Sequence, residues 1–311
     1  MSIELKEQTE RAKDVAVRLF EEFTRGNGIF GRRHEDMPEA TLPRRALGHS
    51  IIEVDRGSRE HLLFITLTVA LDYRRDSDKL WAAARRTFED ERTRWLFFPE
   101  EVVKRGRREV EDAMKTYGIY IQKNDVDAWI RISHGLFTFY GSDPLNIVKE
   151  CDFDAQEVFN KKRDQTFKKN FPYLTGDKIF ALWIRMLYDV AGIQLKNLDK
   201  VPIPVDVHVA RATFTTGGLT GKYEGMLSNV AHRIDKVWEN AVKLARHPEL
   251  TFRLQLDEPL WLLSRHGCSF RRDSVCHKRG ECPVRDFCVK GVVKIMETQG
   301  GDRKVLVDTR L

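Results

Sequence analysis

The sequence predicts an all-α protein. Three observations lead there. Apolar residues recur at helical spacing along most of the 311-residue chain. No stretch shows the sustained apolar–polar alternation of a half-buried strand. Glycine and proline gather between the periodic stretches and punctuate them.

The elements follow in order. Residues 5–24 carry Leu5, Ala12, Val15, Val17, Leu19, Phe20 and Phe23 at helical intervals. Residues 25–58 hold Gly26, Gly28, Gly31, Pro38, Pro43 and Gly57 and read as irregular. His61 to Phe88 reads as a buried helix, a break near Tyr73-Arg74-Arg75-Asp76-Ser77, and an amphipathic helix that Ser77 is suited to cap. Further helices fit residues 99–116, 124–138, 144–150 and 154–168. Lys178 to Val190 is apolar on nearly every side, as befits a helix central to its domain. Pro202 and Pro204 forbid a helix immediately before Asp206. Gly217-Gly218 ends the helix that Asp206 starts. Residues 224–246 give another amphipathic helix, and Pro259 to Arg265 a short one leading into Cys268.

Composition suits a globular protein with a real core: 41% hydrophobic and 32% charged residues. The N-terminus, Met1-Ser2-Ile3-Glu4-Leu5-Lys6-Glu7, does not resemble a signal peptide. The longest apolar run, Leu62 to Leu71, is about half of a membrane span. These features predict a cytoplasmic, monomeric protein without a membrane partner. Net charge is +6, and Arg265 to Lys304 holds ten Lys/Arg against five Asp/Glu, an excess of five positive charges in that stretch. Such a basic patch suits a polyanion such as DNA, or a merely solvated surface.

Two residues stand at predicted helix starts. Lys178 follows the turn-like stretch Phe171-Pro172-Tyr173-Leu174-Thr175-Gly176-Asp177. Burial and a helix N-terminus both disfavour an ammonium there, and a nucleophilic lysine must be neutral. Asp206 begins its own helix, where free N–H groups and the dipole favour a carboxylate. A carboxylate so fixed can accept a proton or stabilise a cationic sugar. The plain alternatives are a solvent-facing lysine and an ordinary N-cap.

Four of the five cysteines, Cys268, Cys276, Cys282 and Cys288, fall within 21 residues, spaced Cys-x7-Cys-x5-Cys-x5-Cys. In a cytosolic chain such a cluster points to a metal centre before disulfides. Zinc modules pair cysteines two to four residues apart, and no such pair occurs here. The wider spacing suits a [4Fe–4S] cluster, with zinc and free thiols as alternatives. Cys151 stands apart in a helical context. Arg271, Arg272, Lys278, Arg279 and Arg285 decorate the loop, as phosphate contacts or as solvated charges.

Val205-Asp206-Val207-His208-Val209-Ala210-Arg211 closely resembles the Val-Asp-Thr-His-(Val/Ile)-x-Arg signature of the helix–hairpin–helix DNA glycosylases, the endonuclease III superfamily. Phe171-Pro172-Tyr173-Leu174-Thr175-Gly176-Asp177-Lys178 resembles that family's Leu-Pro-Gly-Val-Gly-x-Lys hairpin, with one extra residue and Tyr173 for the first glycine. The 28-residue lysine–aspartate spacing is more similar to archaeal 8-oxoguanine glycosylases. Trp261 to Cys268, closing with Cys282-Pro283-Val284-Arg285-Asp286-Phe287-Cys288, resembles the family's iron–sulfur loop. The likeness runs from about residue 60 to 290.

The resemblance implies a two-domain fold, a six-helix barrel plus a domain built from both chain ends and carrying the cluster. Its divisions would be 1–74 (packing with the C-terminal domain), 75–195 (barrel and hairpin), 196–290 (aspartate and iron–sulfur loop) and a 291–311 tail. It implies a base-excision repair glycosylase and abasic-site lyase. Lys178 would be the Schiff-base nucleophile and Asp206 its catalytic carboxylate. Tyr173, Thr175, Gly176, Arg271, Arg272, Lys278 and Arg279 would contact double-stranded DNA holding a damaged, oxidised base or an abasic site. Tyr73, Arg74 and Trp95 to Phe98 are lesion-side candidates. A water-using monofunctional glycosylase and a non-catalytic, redox-sensing DNA binder are the alternative readings.

Overall fold

A computed structural model describes residues 4–31, 37–41, 54–73, 75–298 and 303–311. The chain is mainly helical and forms two compact units, Met1–Asp36 with Pro202–Leu311, and Met37–Val201. Residues 37–74, read from sequence with the N-terminal segment, fall in the second unit. Arg74 lies outside the described residues.

The first unit opens with β1 (Glu4–Glu7) and α1 (Thr9–Arg25), whose Ala12, Val15, Ala16 and Leu19 form the buried stripe that the periodicity anticipates. Gly26 ends α1 in a left-handed conformation.

The second unit begins its helices with α2 (Arg59–Ala70), capped by Ser58 and buried from His61 to Ala70. After the break comes α3 (Ser77–Glu89). Its cap is Asp76, whose carboxylate accepts the Lys79 N–H, and not Ser77 as the sequence suggested. The expected 99–116 helix divides into α4 (Pro99–Val102) and α5 (Arg107–Thr116), because Gly106 ends one register and its N–H binds Glu109 at the start of the next. Then follow α6 (Lys123–Tyr140) and α7 (Leu145–Glu150). The expected 154–168 helix is likewise two, α8 (Ala155–Asn160) and α9 (Gln165–Asn170), since Asp164 caps a fresh N-terminus. The turn 171–176 leads into α10 (Asp177–Asp189). Phe64, Trp81, Phe88, Phe97 and Trp129 form an aromatic core, with Phe64 within 6 Å of three of these rings.

The chain returns to the first unit with α11 (Val207–Thr216), β2 (Leu219–Met226), α12 (Ala231–Ala245) and α13 (Asp257–His266). The cysteine loop carries the short hairpin β3 (Arg271–Arg272) and β4 (Val275–Cys276). The chain closes with β5 (Lys290–Glu297) and β6 (Arg303–Arg310). These strands add a small sheet to the mainly helical chain that the sequence predicts. An antiparallel sheet of order β1-β2-β6-β5 joins both chain ends to the middle of the chain.

The sheet was hard to read for physical reasons. The β2 segment, Leu-Thr-Gly-Lys-Tyr-Glu-Gly-Met, carries two glycines and little apolar alternation. Gly221 is there because β1 lies so close that an added Cβ would sit 2.1 Å from the Glu4 carbonyl oxygen, at φ +118°. Strand β6 shows a clear period of two, through buried Val305, Val307 and Thr309.

Candidate active site

Asp206 sits in the first unit at the N-cap of α11. Its Oδ1 accepts the N–H groups of His208 (2.8 Å) and Val209 (2.9 Å). Both bonds land on one oxygen, so Oδ2 lies outside the cap. The Pro202–Val205 approach is itself pinned: the Ile203 N–H donates to buried Asp235 of α12 at 2.9 Å, and Arg253 pairs with that carboxylate at 2.7 Å. Burial raises the Asp235 carboxyl above its ordinary value, and Arg253 opposes the shift. One turn beyond Asp206, Arg211 donates to Ser264 Oγ on α13 at 2.9 Å, and His208 Nδ1 meets the same hydroxyl at 3.2 Å. The His208 ring lies 5.0 Å from that of Trp261. Burial lowers the Arg211 guanidinium below its usual range, while Cys268 and Asp206 work to restore it.

Lys178 sits in the second unit, half-buried in the first turn of α10. Phe171 follows the end of α9 as its C-cap, and its ring stacks on Phe167 at 4.3 Å. Leu174 plugs the turn from inside. Tyr173 takes the left-handed conformation, φ +64°, where the resembling hairpins carry glycine. Its ring stacks on Tyr73 at 6.5 Å, with 17° between planes. The turn closes with the Gly176 N–H on the Tyr173 carbonyl at 3.1 Å. No side chain caps α10, because its N-cap is Gly176, and Asp177 in the first turn pairs with Lys162. Thr175 and Gly176 thus border a helix start whose N–H groups are not capped by a side chain, the local arrangement anticipated for a phosphate contact. Behind the turn, Gly135 of α6 lets the helices close: a Cβ there would stand 3.1 Å from Asn170 and 3.2 Å from Phe171.

The four cysteines lie along the loop after α13, where Cys276, Cys282 and Cys288 each act electrostatically on Cys268. Cys268 and Cys282 are buried, Cys276 and Cys288 half-buried. Burial pushes the Cys282 thiol up to about 11, with Cys288 and Cys276 adding to the shift and a backbone N–H and Arg285 opposing it. Cys268 goes higher, again chiefly by burial and then by its three partners. Five arginines counter this crowding: Arg211 at Cys268, Arg285 at Cys282, and Arg271, Arg279 and Arg11 at Cys288. Such a shell of guanidinium groups suits four ligated, anionic sulfurs. The residues therefore fit a four-cysteine centre by donor type and by counter-charge. Among the described residues no three His, Cys, Asp or Glu side chains are gathered as a ligand set for one ion. The loop is thus a donor set rather than a formed coordination sphere.

The predicted DNA-contacting residues of this loop divide. The Arg271 guanidinium is engaged by the loop's own backbone, through the carbonyls of Val289 (2.8 Å) and Gly291 (2.9 Å). Arg272 is exposed and donates to the Ser269 and Arg271 carbonyls. Lys278 pairs with Glu281, and Arg279 is exposed. The N-terminal segment braces the same loop. Arg11 donates to the carbonyls of Thr216 (2.8 Å) and Phe287 (2.6 Å). Gly28, at φ +55°, packs so tightly on Glu281 that a Cβ would lie 2.3 Å from its carbonyl oxygen.

Of the lesion-side candidates, Leu96 and Phe97 are core residues. Trp95 is held by the Arg92 carbonyl and stacked under Arg105. Tyr73 is 43% exposed beside the hairpin. Sequence reasoning missed Asp235, Arg11 and Ser264. Each acts through a partner distant in sequence, and no local pattern signals that. No protein-family model matches the chain, and none of the curated proteins is significantly similar to it.

Proposed function

We propose that the chain is a DNA glycosylase with β-lyase activity, acting on double-stranded DNA that holds a damaged base or an abasic site. The observation that carries this reading is the hairpin between α9 and α10, which delivers a half-buried lysine into the first turn of a largely apolar helix. An enzyme that needs an amine nucleophile gains from such burial; a plain DNA binder does not. The Lys178 amine attacks the sugar C1′, and the base leaves with the electrons of the C1′–N bond and a proton. The C1′–O4′ bond then breaks as the C1′=N Schiff base forms, O4′ taking up a proton while the amine gives up its own. Abstraction of a C2′ proton then breaks the C3′–O bond and releases the 3′ phosphate. Asp206 stabilises positive charge on the sugar through the carboxylate oxygen that the cap leaves over. Cys268, Cys276, Cys282 and Cys288 would hold a [4Fe–4S] cluster, which when bound cross-links the loop. The cysteine spacing favours this over zinc.

The leading substrate is an oxidised purine, from the long lysine–aspartate spacing, with an oxidised pyrimidine second. A panel of single-lesion duplexes tests the reading. The protein is expected to release one oxidised base, nick the strand and be trapped covalently by borohydride. Base release without trapping would indicate the water-using class. Binding without either activity on any lesion would leave a non-catalytic DNA binder.

A further inference from the structure

We infer that the outer edge of β5 is a docking site for an extended acidic peptide, which joins the sheet there as one more strand. The inference does not depend on the lyase reading. Strand β5 is eight residues long and stands last in the order β1-β2-β6-β5. One of its sides pairs with β6, and among the described residues no strand pairs with the other. The cysteine loop shows what that open side offers. Arg271 donates to the carbonyls of Val289 and Gly291, and the Gly291 N–H donates to Ser274 Oγ at 3.1 Å. The N–H and C=O of Gly291 therefore point away from β6. Such groups alternate between partner and open edge along an antiparallel strand, so those of Val293 and Ile295 point the same way. Among the described residues no group bonds to them. The loop thus fills the first place on the edge, with a hydroxyl as acceptor and a guanidinium as donor, and leaves the next places open. A row of N–H donors alternating with carbonyl acceptors is matched by another extended backbone, which supplies both. A phosphate chain supplies acceptors alone.

The two faces of the edge differ. Val293 and Ile295 stand opposite Val307 and Val305, buried residues of β6, and are themselves half-buried. Lys290 and Lys294 lie on the other face, both exposed, and exposed Arg310 stands opposite Lys290. Further along that face the cations are answered: Lys304 pairs with Glu224 at 2.5 Å and Lys222 with Asp308 at 3.9 Å. Among the described residues no carboxylate pairs with Lys290, Lys294 or Arg310. A strand that complements this edge carries carboxylates on one face and β-branched side chains on the other, in alternation. Lysines on an edge also disfavour pairing with a second copy of the same strand.

The probe is a fluorescently labelled peptide in which glutamates alternate with valine and threonine. Added to the full chain, it should raise anisotropy to saturation, and hydrogen exchange of the Val293 and Ile295 amides should slow. The same peptide with lysine for glutamate should not bind. Nor should the glutamate peptide N-methylated along one backbone edge, which keeps the charge and removes the donors. Lys294→Glu should weaken binding roughly tenfold or more, because a like charge replaces a complementary one, with thermal unfolding unchanged. Ile295→Pro removes an outward N–H without removing a bond to β6, and should lose binding. If that variant does not fold, Lys294→Glu and the N-methylated peptide still decide. Failure of the glutamate peptide to bind, or binding that Lys294→Glu leaves intact, would overturn the site. Equal binding of the N-methylated peptide would reduce the edge to a charged surface. Duplex DNA that protects no amide of β5 yet is weakened by Lys294→Glu, in a protein that ignores the peptide, would assign the lysines to phosphate instead.

Discussion

In Lys178→Gln, borohydride trapping and strand nicking should fall to background while lesion binding persists. Glutamine retains the length of most of the side chain and its seat in the first turn of α10, so the hairpin fold should survive. What disappears is the only atom able to make a Schiff base from that position. Undiminished trapping would transfer the nucleophile to another amine. Asp206→Asn provides the contrast. Asparagine is as good an N-cap as aspartate, so the two bonds to His208 and Val209 can be kept and helix α11 should hold. The charge is lost, and base release should slow by roughly 10²- to 10³-fold, the scale of one well-placed group in a water-poor site. Single-turnover base release against thermal unfolding separates chemistry from folding. A slowing under about tenfold in a stable variant would reduce Asp206 to a cap.

Both residues were legible in the sequence for the same reason. Helix starts leave a strong local mark: Pro202 and Pro204 before Asp206, and the turn with Gly176 before Lys178. The buried stretch of α10 was equally plain, because apolar residues on every side of so short a helix have one meaning, burial in a core. The sheet was not legible, since β1 and β2 are recognised only through each other, with Gly221 as the point of closest approach. The breaks at Gly106 and Asp164 were passed over because the apolar rhythm continues across them while the backbone does not. Asp72 was hidden by its setting at the end of an apolar run, where its bonds to Ser77 and Trp81 of α3 give it meaning. The basic residues of the cysteine loop show the reverse problem. Composition alone suggested a DNA-facing patch, yet Arg271 is turned onto backbone carbonyls and, with Arg11, Arg211, Arg279 and Arg285, faces the thiols.

If the loop holds the proposed cluster, that arginine shell makes it sensitive to loss of the metal. Protein purified without oxygen should be brown and carry about four irons per chain, and Cys276→Ser should be colourless and poorly soluble. Cys276 is a half-buried residue of the two-stranded hairpin, opposite Arg271, and its sulfur contacts the Gly267 carbonyl at 3.8 Å. Serine can keep that contact but is a poor iron ligand. With three thiolates the centre is lost, and the guanidinium groups around it are left without the anionic partner that offsets their crowding. The loop should then open, and with it the packing against Arg11 and Gly28. Asp206 is fixed separately, by the α11 cap and by Asp235 and Arg253. The fraction of Cys276→Ser that stays folded should therefore keep base-release chemistry per active molecule while losing stability. Metal analysis, thermal unfolding and active-site titration by trapping measure the three quantities. A wild type that is colourless with one zinc per chain would replace the cube by a zinc centre. A Cys276→Ser protein that keeps its iron and its stability would show that the four cysteines do not act as one site.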